Sequence, residues 1–282
     1  MKPLSWRLFK VGHCRQLERL TCTSAPWRFC SFPALATLIT HPDHGYILFD
    51  TGYAPKFFEE TRSFPERAYR LVTPVSLAPQ ESLLQQLNAA GISASEISTV
   101  VLSHFHADHI SGVCDFPSAR IFCSRAGWNF IRDIGRFAGV RRGLIRGLLP
   151  DDLTQRTTFF EALHATSLHR DMAPFEHGYD VFGDASLLAI PLPGHAEGQH
   201  GLAWVEPSGR TVFLVADAAW STESIRKCVP PMKITGKLLH HTSDYGVSLR
   251  KLHTLHVRNR DLHLIPSHCR ERQNELAGSS DA

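Results

Sequence analysis

The run Val100-Val101-Leu102-Ser103-His104-Phe105-His106-Ala107-Asp108-His109-Ile110-Ser111-Gly112 constrains the chain more than any other stretch. It sets three imidazoles and one carboxylate within six residues, directly behind an apolar, β-type segment. Desolvating so many polar groups is costly unless a cation binds among them. If Ile97 to Leu102 is a buried strand ending at a turn, His104 and His106 project from the loop at its carboxyl end. Asp108 and His109 follow at or near the start of a helix and diverge toward a second position. Neutral imidazole and carboxylate together suit Zn²⁺, Fe²⁺, Mn²⁺ or Co²⁺, and the preponderance of nitrogen favours zinc.

The length, 282 residues, is ample for a large core, and 43% apolar with 20% charged residues is a soluble globular balance. A net charge of +3 gives no ground for expecting nucleic acid. No run approaches the roughly 20 apolar residues that span a bilayer. Seven cysteines without a C-x-x-C pair point to a reduced, cytoplasmic protein.

Along the chain, Leu4 to Gly12 alternates as an opening strand. Residues 34–40 and 45–50 read as two more, around a turn that should leave His41 and His44 in solvent. The second delivers Asp50 and Gly52 to its carboxyl end, where the glycine permits a sharp turn and the carboxylate can orient a metal-bound imidazole. Residues 53–78, rich in aromatic and basic side chains, suit a substrate wall or a packed surface helix equally. Residues 125–150 interleave Arg125, Arg132, Arg136, Arg141, Arg142 and Arg146 with apolar residues. That is the pattern of a solvated helix face, or of a lid offering apolar surface and positive charge to an amphiphilic or anionic substrate or a membrane surface. Residues 157–170 read as irregular or helical, so a helical cap insertion is expected over 125–170.

Beyond it, Pro193-Gly194-His195 forms a tight loop that aims His195 back at the motif, while His200 stays outside the candidate ligand set. Thr211 to Ala216 is a strand that places Asp217 at its carboxyl end, and one carboxylate can bridge two ions about 3.5–4 Å apart. Asp261 to Pro266 is the last buried strand and leads to His268. Residues 1–270 are expected to form one domain, and 271–282 a frayed tail.

The H-x-H-x-D-H run, together with Asp50-Thr51-Gly52, Gly194-His195, Asp217 and His268 in that order, resembles the metallo-β-lactamase superfamily across roughly residues 35 to 270. The resemblance implies a four-layer αββα sandwich with the site along one edge of its sheets. It assigns His104, His106 and His195 to a first divalent ion, Asp108, His109 and His268 to a second, Asp217 to the position between them, and Asp50 to supporting the ligands. It implies a metal-dependent hydrolase that uses a bridging hydroxide, with Asp108 passing a proton to the leaving group. The pattern is most similar to the N-acyl homoserine lactonase branch, which implies an ester or lactone of an amphiphilic, acyl-bearing small molecule, and is compatible with a homodimer. That branch commonly has a tyrosine three residues after the bridging Asp, beside the substrate carbonyl. This chain has Trp220 there, an N–H donor of different reach. Thioester or phosphodiester hydrolysis on the same fold, and a mononuclear iron persulfide dioxygenase, are the rival readings.

Overall fold

The computed structural model describes residues 2–235 and 240–273. Its first sheet has seven strands: β1 (Ser5–Leu17), β2 (Phe29–His41), β3 (Gly45–Phe49), β4 (Val75–Ser76), β5 (Ile97–Val101), β6 (Arg120–Cys123) and β7 (Thr157–Phe159), in the spatial order β4-β1-β2-β3-β5-β6-β7. The second has six: β8 (Ala165–Ser167), β9 (His177–Asp180), β10 (Leu188–Pro191), β11 (His200–Val205), β12 (Thr211–Ala216) and β13 (His263–Pro266), ordered β13-β12-β11-β10-β9-β8.

Period-two alternation sorts the side chains into layers. In β3, Ile47 and Phe49 enter the core between the sheets while Leu48 packs outward; in β12, Val212, Leu214 and Ala216 face inward and Phe213 and Val215 outward. The outward sets are covered by helices, through Leu83 and Leu87 of helix Leu83–Ala89 on one side and Leu249, Leu252 and Leu255 of helix Thr242–Arg258 on the other. Each such aliphatic side chain contributes about 1.5–3 kcal/mol when buried, and a one-residue slip would turn a whole set to the wrong face. The result is the expected αββα sandwich.

Strand direction explains where chemistry collects. β3 and β5 run parallel, as do β12 and β13, so their carboxyl ends deliver Asp50, the His104 loop, Asp217 and His268 to one edge. The two sheets are tied there by His200 N–H to Ser103 O at 3.0 Å and Leu35 N–H to Ser267 O at 3.0 Å. Backbone strain gathers at the same edge, with Asp50 at φ 58° and Ala216 at φ 48°, both left-handed without being glycine.

Two expectations are corrected. α-Helix in the insertion ends at Arg156, because residues 157–167 supply the edge strands β7 and β8 around a single 3-10 turn, Phe160–Ala162. His41 is buried rather than solvated, its Nδ1 accepting the backbone N–H groups of Asp43 (3.0 Å) and His44 (3.1 Å). Residues 270–273 begin a helical turn in which Arg270 pairs with Glu18 and Arg226 with Glu271 at 2.7 Å; positions 274–282 of the anticipated tail lie outside the described residues.

Candidate metal centre

Glycine makes two of the approaches to this edge feasible. Gly52 turns at φ 66°, and a Cβ there would stand 2.3 Å from the Val11 Cβ. Gly194 turns at φ 127°, and a Cβ there would come within 2.0 Å of the Tyr245 backbone nitrogen. Any side chain at either position would force the loop carrying Asp50 or His195 away from the site.

Seven side chains anticipated from the sequence converge here. The ligand-type atoms of His104, His106 and His195 lie within 4.8 Å of one another, as do those of Asp108, His109 and His268, and those of His104, His109 and Asp217. His106 Nδ1 stands 3.0 Å from His104 Nε2 and 2.9 Å from His195 Nε2. Asp217 reaches both groups, with Oδ2 3.2 Å from His195 Nε2 and 3.1 Å from His268 Nε2, and Oδ1 3.5 Å from His109 Nε2.

Neighbours fix which nitrogen of each ring faces inward. Asp50 takes the Ser103 N–H at 2.8 Å, the Ser103 hydroxyl at 2.7 Å and His109 Nδ1–H at 2.7 Å. The Ser103 proton is therefore committed, so its oxygen, 2.9 Å from His104 Nδ1, accepts from that ring and leaves a lone pair on His104 Nε2. The Pro33 carbonyl takes His268 Nδ1–H at 2.7 Å, which turns Nε2 inward. His109 Nε2 and Asp217 Oδ1 are buried without a hydrogen-bond partner. Inward-facing lone pairs and orphaned buried acceptors are what a cation would satisfy, so the residues present fit divalent metal.

The electrostatics divide the cluster. Burial pushes His106 down to about 4 and holds His104 and His195 well below the ordinary imidazole range, with mutual repulsion adding to it. Burial also opposes charge on His109 and His268, but the carboxylates outweigh it. Asp50, Asp217 and Asp108 raise His109 well above its usual value, and Asp217 with Asp108 lifts His268 to about 9. Asp217, though buried, is held well below the carboxylate range by His268, His109 and His195.

Five of the seven, His106, Asp108, His195, Asp217 and His268, line a cavity of about 520 Å³ whose wall also includes Leu20, Phe32, Tyr69, Val72, Val140 and Trp220. Trp220 thus lines the cavity as expected, but its Nε1–H donates to Asp217 Oδ2 at 3.0 Å. His200 donates Nδ1–H to the Gly198 carbonyl at 2.9 Å and packs on Phe160, so it supports the loop rather than joining the cluster. Sequence reasoning missed Ser103, the Pro33 carbonyl and the part that β1 takes in the cavity wall.

A family model for the metallo-β-lactamase superfamily matches residues 32–256. The chain belongs to the metallo-β-lactamase superfamily. That family binds divalent metals, and the chain is an enzyme of the metal-dependent hydrolase class. Among its relatives are the N-acyl homoserine lactonase AttM of Rhizobium johnstonii, 29% identical over 221 residues (78% of this chain and 76% of the relative), and the N-acyl homoserine lactonase AiiB of Agrobacterium fabrum, 28% identical over 255 residues (90% and 86%). A solved N-acyl homoserine lactone hydrolase, with the product N-hexanoyl-L-homoserine bound at its catalytic metal centre, superposes with a TM-score of 0.73 at 16% identity, covering 98% of this chain and 97% of that one. The dizinc quorum-quenching lactonase AidC gives 0.65 at 17% identity, covering 96% and 90%. At such identities the superpositions speak to the fold alone. Among the described residues no helix is long and apolar enough to cross a membrane, and all seven cysteines are free thiols.

Proposed function

We propose that the protein hydrolyses an ester or lactone bond in an amphiphilic, acyl-bearing substrate, with N-acyl homoserine lactones as the first candidates. The observation that carries this reading is the convergence of seven donor side chains, five of which line a largely apolar cavity of about 520 Å³. The lactonase names of the relatives support the choice of bond.

His104, His106 and His195 would hold one divalent ion, Asp108, His109 and His268 the other, and Asp217 would lie between them. When bound, such a pair supplies Lewis acidity and ionises a shared water near neutral pH. The chain's own residues do the rest. Asp50 keeps the His109 Nδ1 protonated, so that Nε2 is the nitrogen offered to the site, and the Pro33 carbonyl does the same for His268. Trp220 braces Asp217 through its N–H. The apolar wall takes the acyl chain and excludes water from the reacting carbonyl. Asp108 lines the cavity, its Oδ2 3.4 Å from His268 Nε2, and a carboxyl there can hand a proton to the departing alkoxide.

Two measurements test the reading. Metal content per chain, taken alongside a panel of lactone, thioester and bis-aryl phosphodiester substrates, should give two ions and fastest turnover on the lactone. A single iron per chain, or no hydrolysis of any member, would overturn it. For the proton transfer, Asp108→Asn should depress turnover most with poor leaving groups; full turnover with both metals retained removes Asp108 from that role.

A further inference from the structure

Six arginines punctuate residues 125–150, and the structure gives four of them structural work. Arg125 lies over the Phe159 ring at 4.3 Å, Arg132 pairs with Asp133 at 2.7 Å, Arg136 with Glu66 at 2.5 Å, and Arg146 donates to the Arg132 carbonyl at 3.1 Å. The other two, Arg141 and Arg142, are exposed and line the cavity over the metal-type cluster. Arg142 lies over Phe130 at 5.4 Å, and among the described residues its guanidinium has one hydrogen-bond contact, His240 Nδ1 at 3.5 Å. Among the described residues the Arg141 side chain makes no hydrogen bond and no ion pair, its backbone N–H alone donating to the Phe137 carbonyl, and neither guanidinium has a carboxylate partner.

Their position relative to the chemistry is fixed by the next residue. The Gly143 carbonyl accepts the Ala107 N–H at 3.1 Å, and a Cβ on Gly143 would stand 3.5 Å from the His106 ring and 3.4 Å from Tyr69. The loop bearing both cations is thus pinned to the H-x-H-x-D-H motif itself. The acids lining this cavity, Asp108 and Asp217, are turned to the histidines, at 3.4 Å and 3.1 Å from His268 Nε2. A guanidinium beside low-dielectric walls and without a counter-charge attracts an anion more strongly than one in open solvent.

We propose that Arg141, with Arg142 beside it, selects an acyl substrate that carries a second, anionic group, a carboxylate or a phosphate, apart from the scissile ester or lactone. A neutral acyl lactone would leave both cations unanswered. The inference rests on the hydrolase reading above and moves its substrate class from the uncharged N-acyl homoserine lactones to anionic amphiphiles with the same kind of scissile bond.

The test uses the metal-loaded full chain and 4-nitrophenyl esters in matched sets of equal acyl length, in which the far end of the chain is methyl, carboxylate, phosphate or ammonium. At one or more lengths an anionic member should exceed the methyl member in kcat/KM by about tenfold or more, the strength expected of one charge-assisted hydrogen bond. Which anion gains more separates carboxylate from phosphate as the group recognised. Arg141→Gln should collapse that ratio toward one, and Arg141→Glu should invert it in favour of the ammonium ester. Inversion is a readout that a damaged fold cannot produce. Equal kcat/KM across the set at every length, with all esters cleaved, sinks the anion inference and leaves the hydrolase reading standing, as does a preference that survives both variants. Failure to cleave any ester, or any lactone in the earlier panel, removes the hydrolase reading and this inference with it.

Discussion

The two halves of the candidate metal centre are built from the same imidazole group and are charged in opposite ways. His104, His106 and His195 are packed together with burial outweighing any nearby acid, so their rings are neutral and their lone pairs available. His109 and His268 are equally buried but sit among Asp50, Asp108 and Asp217, so without metal they hold protons where a cation would go. The lesson is that carboxylates, not burial, decide whether a buried histidine in this fold waits empty or protonated. Metal entering the first half meets ready donors, whereas metal entering the second must displace protons.

The largest expected effect is on the centre as a whole. Stripping the proposed pair of ions with a chelator should lower kcat by about three orders of magnitude or more, since Lewis-acid stabilisation is worth several kcal/mol and each 1.36 kcal/mol is tenfold. Adding back one equivalent of zinc and then a second, while following protons released into a weak buffer at pH 7.5, breaks or sharpens the comparison. The second equivalent should release more protons than the first. Equal release would show that the two halves do not differ as described.

Next in size is the pH response of the metal-free protein. His268, raised from 6.5 to about 9, contributes stability that is fully present below pH 6.5 and lost as pH rises through 9. His106, lowered from 6.5 to about 4, contributes stability that is present above pH 6.5 and lost as pH falls through 4. Thermal melts in chelator should therefore decline on both sides of pH 6.5, the residue named on each arm contributing about 3 kcal/mol, with His104 and His195 adding to the acid arm and His109 to the alkaline one. The alkaline decline should vanish on loading zinc, because the cation then does what the protons did. A metal-free profile that stays flat from pH 6.5 to 9 would contradict the assignment of the protonated half.

Asp50→Ala comes third. Removing the acceptor of His109 Nδ1–H frees the tautomer of one ligand in the second half, and losses of about 10–100-fold in metal affinity follow from such changes. The loss should be larger for the ion of the proton-bearing half, which Asp50 touches through His109, than for the first, which it reaches through Ser103 and His104. Equal weakening of both ions in a competition titration would mean that Asp50 acts on the whole edge, through Ser103 and His104, rather than through His109.

How far the sequence foretold this edge depends on where each contact comes from. The H-x-H-x-D-H run, Asp50, His195, Asp217 and His268 are legible because each is a polar residue at the end of an apolar strand or a glycine turn, and strand direction then brings them together. Ser103 is an ordinary hydroxyl in sequence; its importance comes from the partner it meets, Asp50, fifty-three positions away. The Pro33 carbonyl carries no side-chain signal at all, since any residue there would present the same oxygen to His268. Strands β7 and β8 are three residues each, too short for alternation to be distinguished from a loop. His41 reads as a solvated turn residue in sequence, yet it ends β2, and Phe182 and Ser186 from the other half of the chain close over it, a contact 145 positions distant. Local pattern reveals what a residue can do, and topology decides what it meets.

Trp220 offers the finest discrimination between the halves. Its ring stands edge-on to His195 of the neutral half at 5.6 Å, while its N–H holds the carboxylate shared with the other half. Trp220→Phe keeps the ring and removes the donor, a change of about 1 kcal/mol, or roughly fivefold. If Trp220 acts as a brace for Asp217, that loss appears as weaker binding of both ions to a similar extent, with KM for a lactone unchanged. If the indole instead donates to the substrate carbonyl, metal affinity holds and kcat/KM falls, and Trp220→Tyr, which restores a donor of longer reach, should recover part of it. The geometry favours the first outcome, because the N–H is already spent on an acceptor that bears a full negative charge, and a substrate carbonyl is a weaker competitor for it.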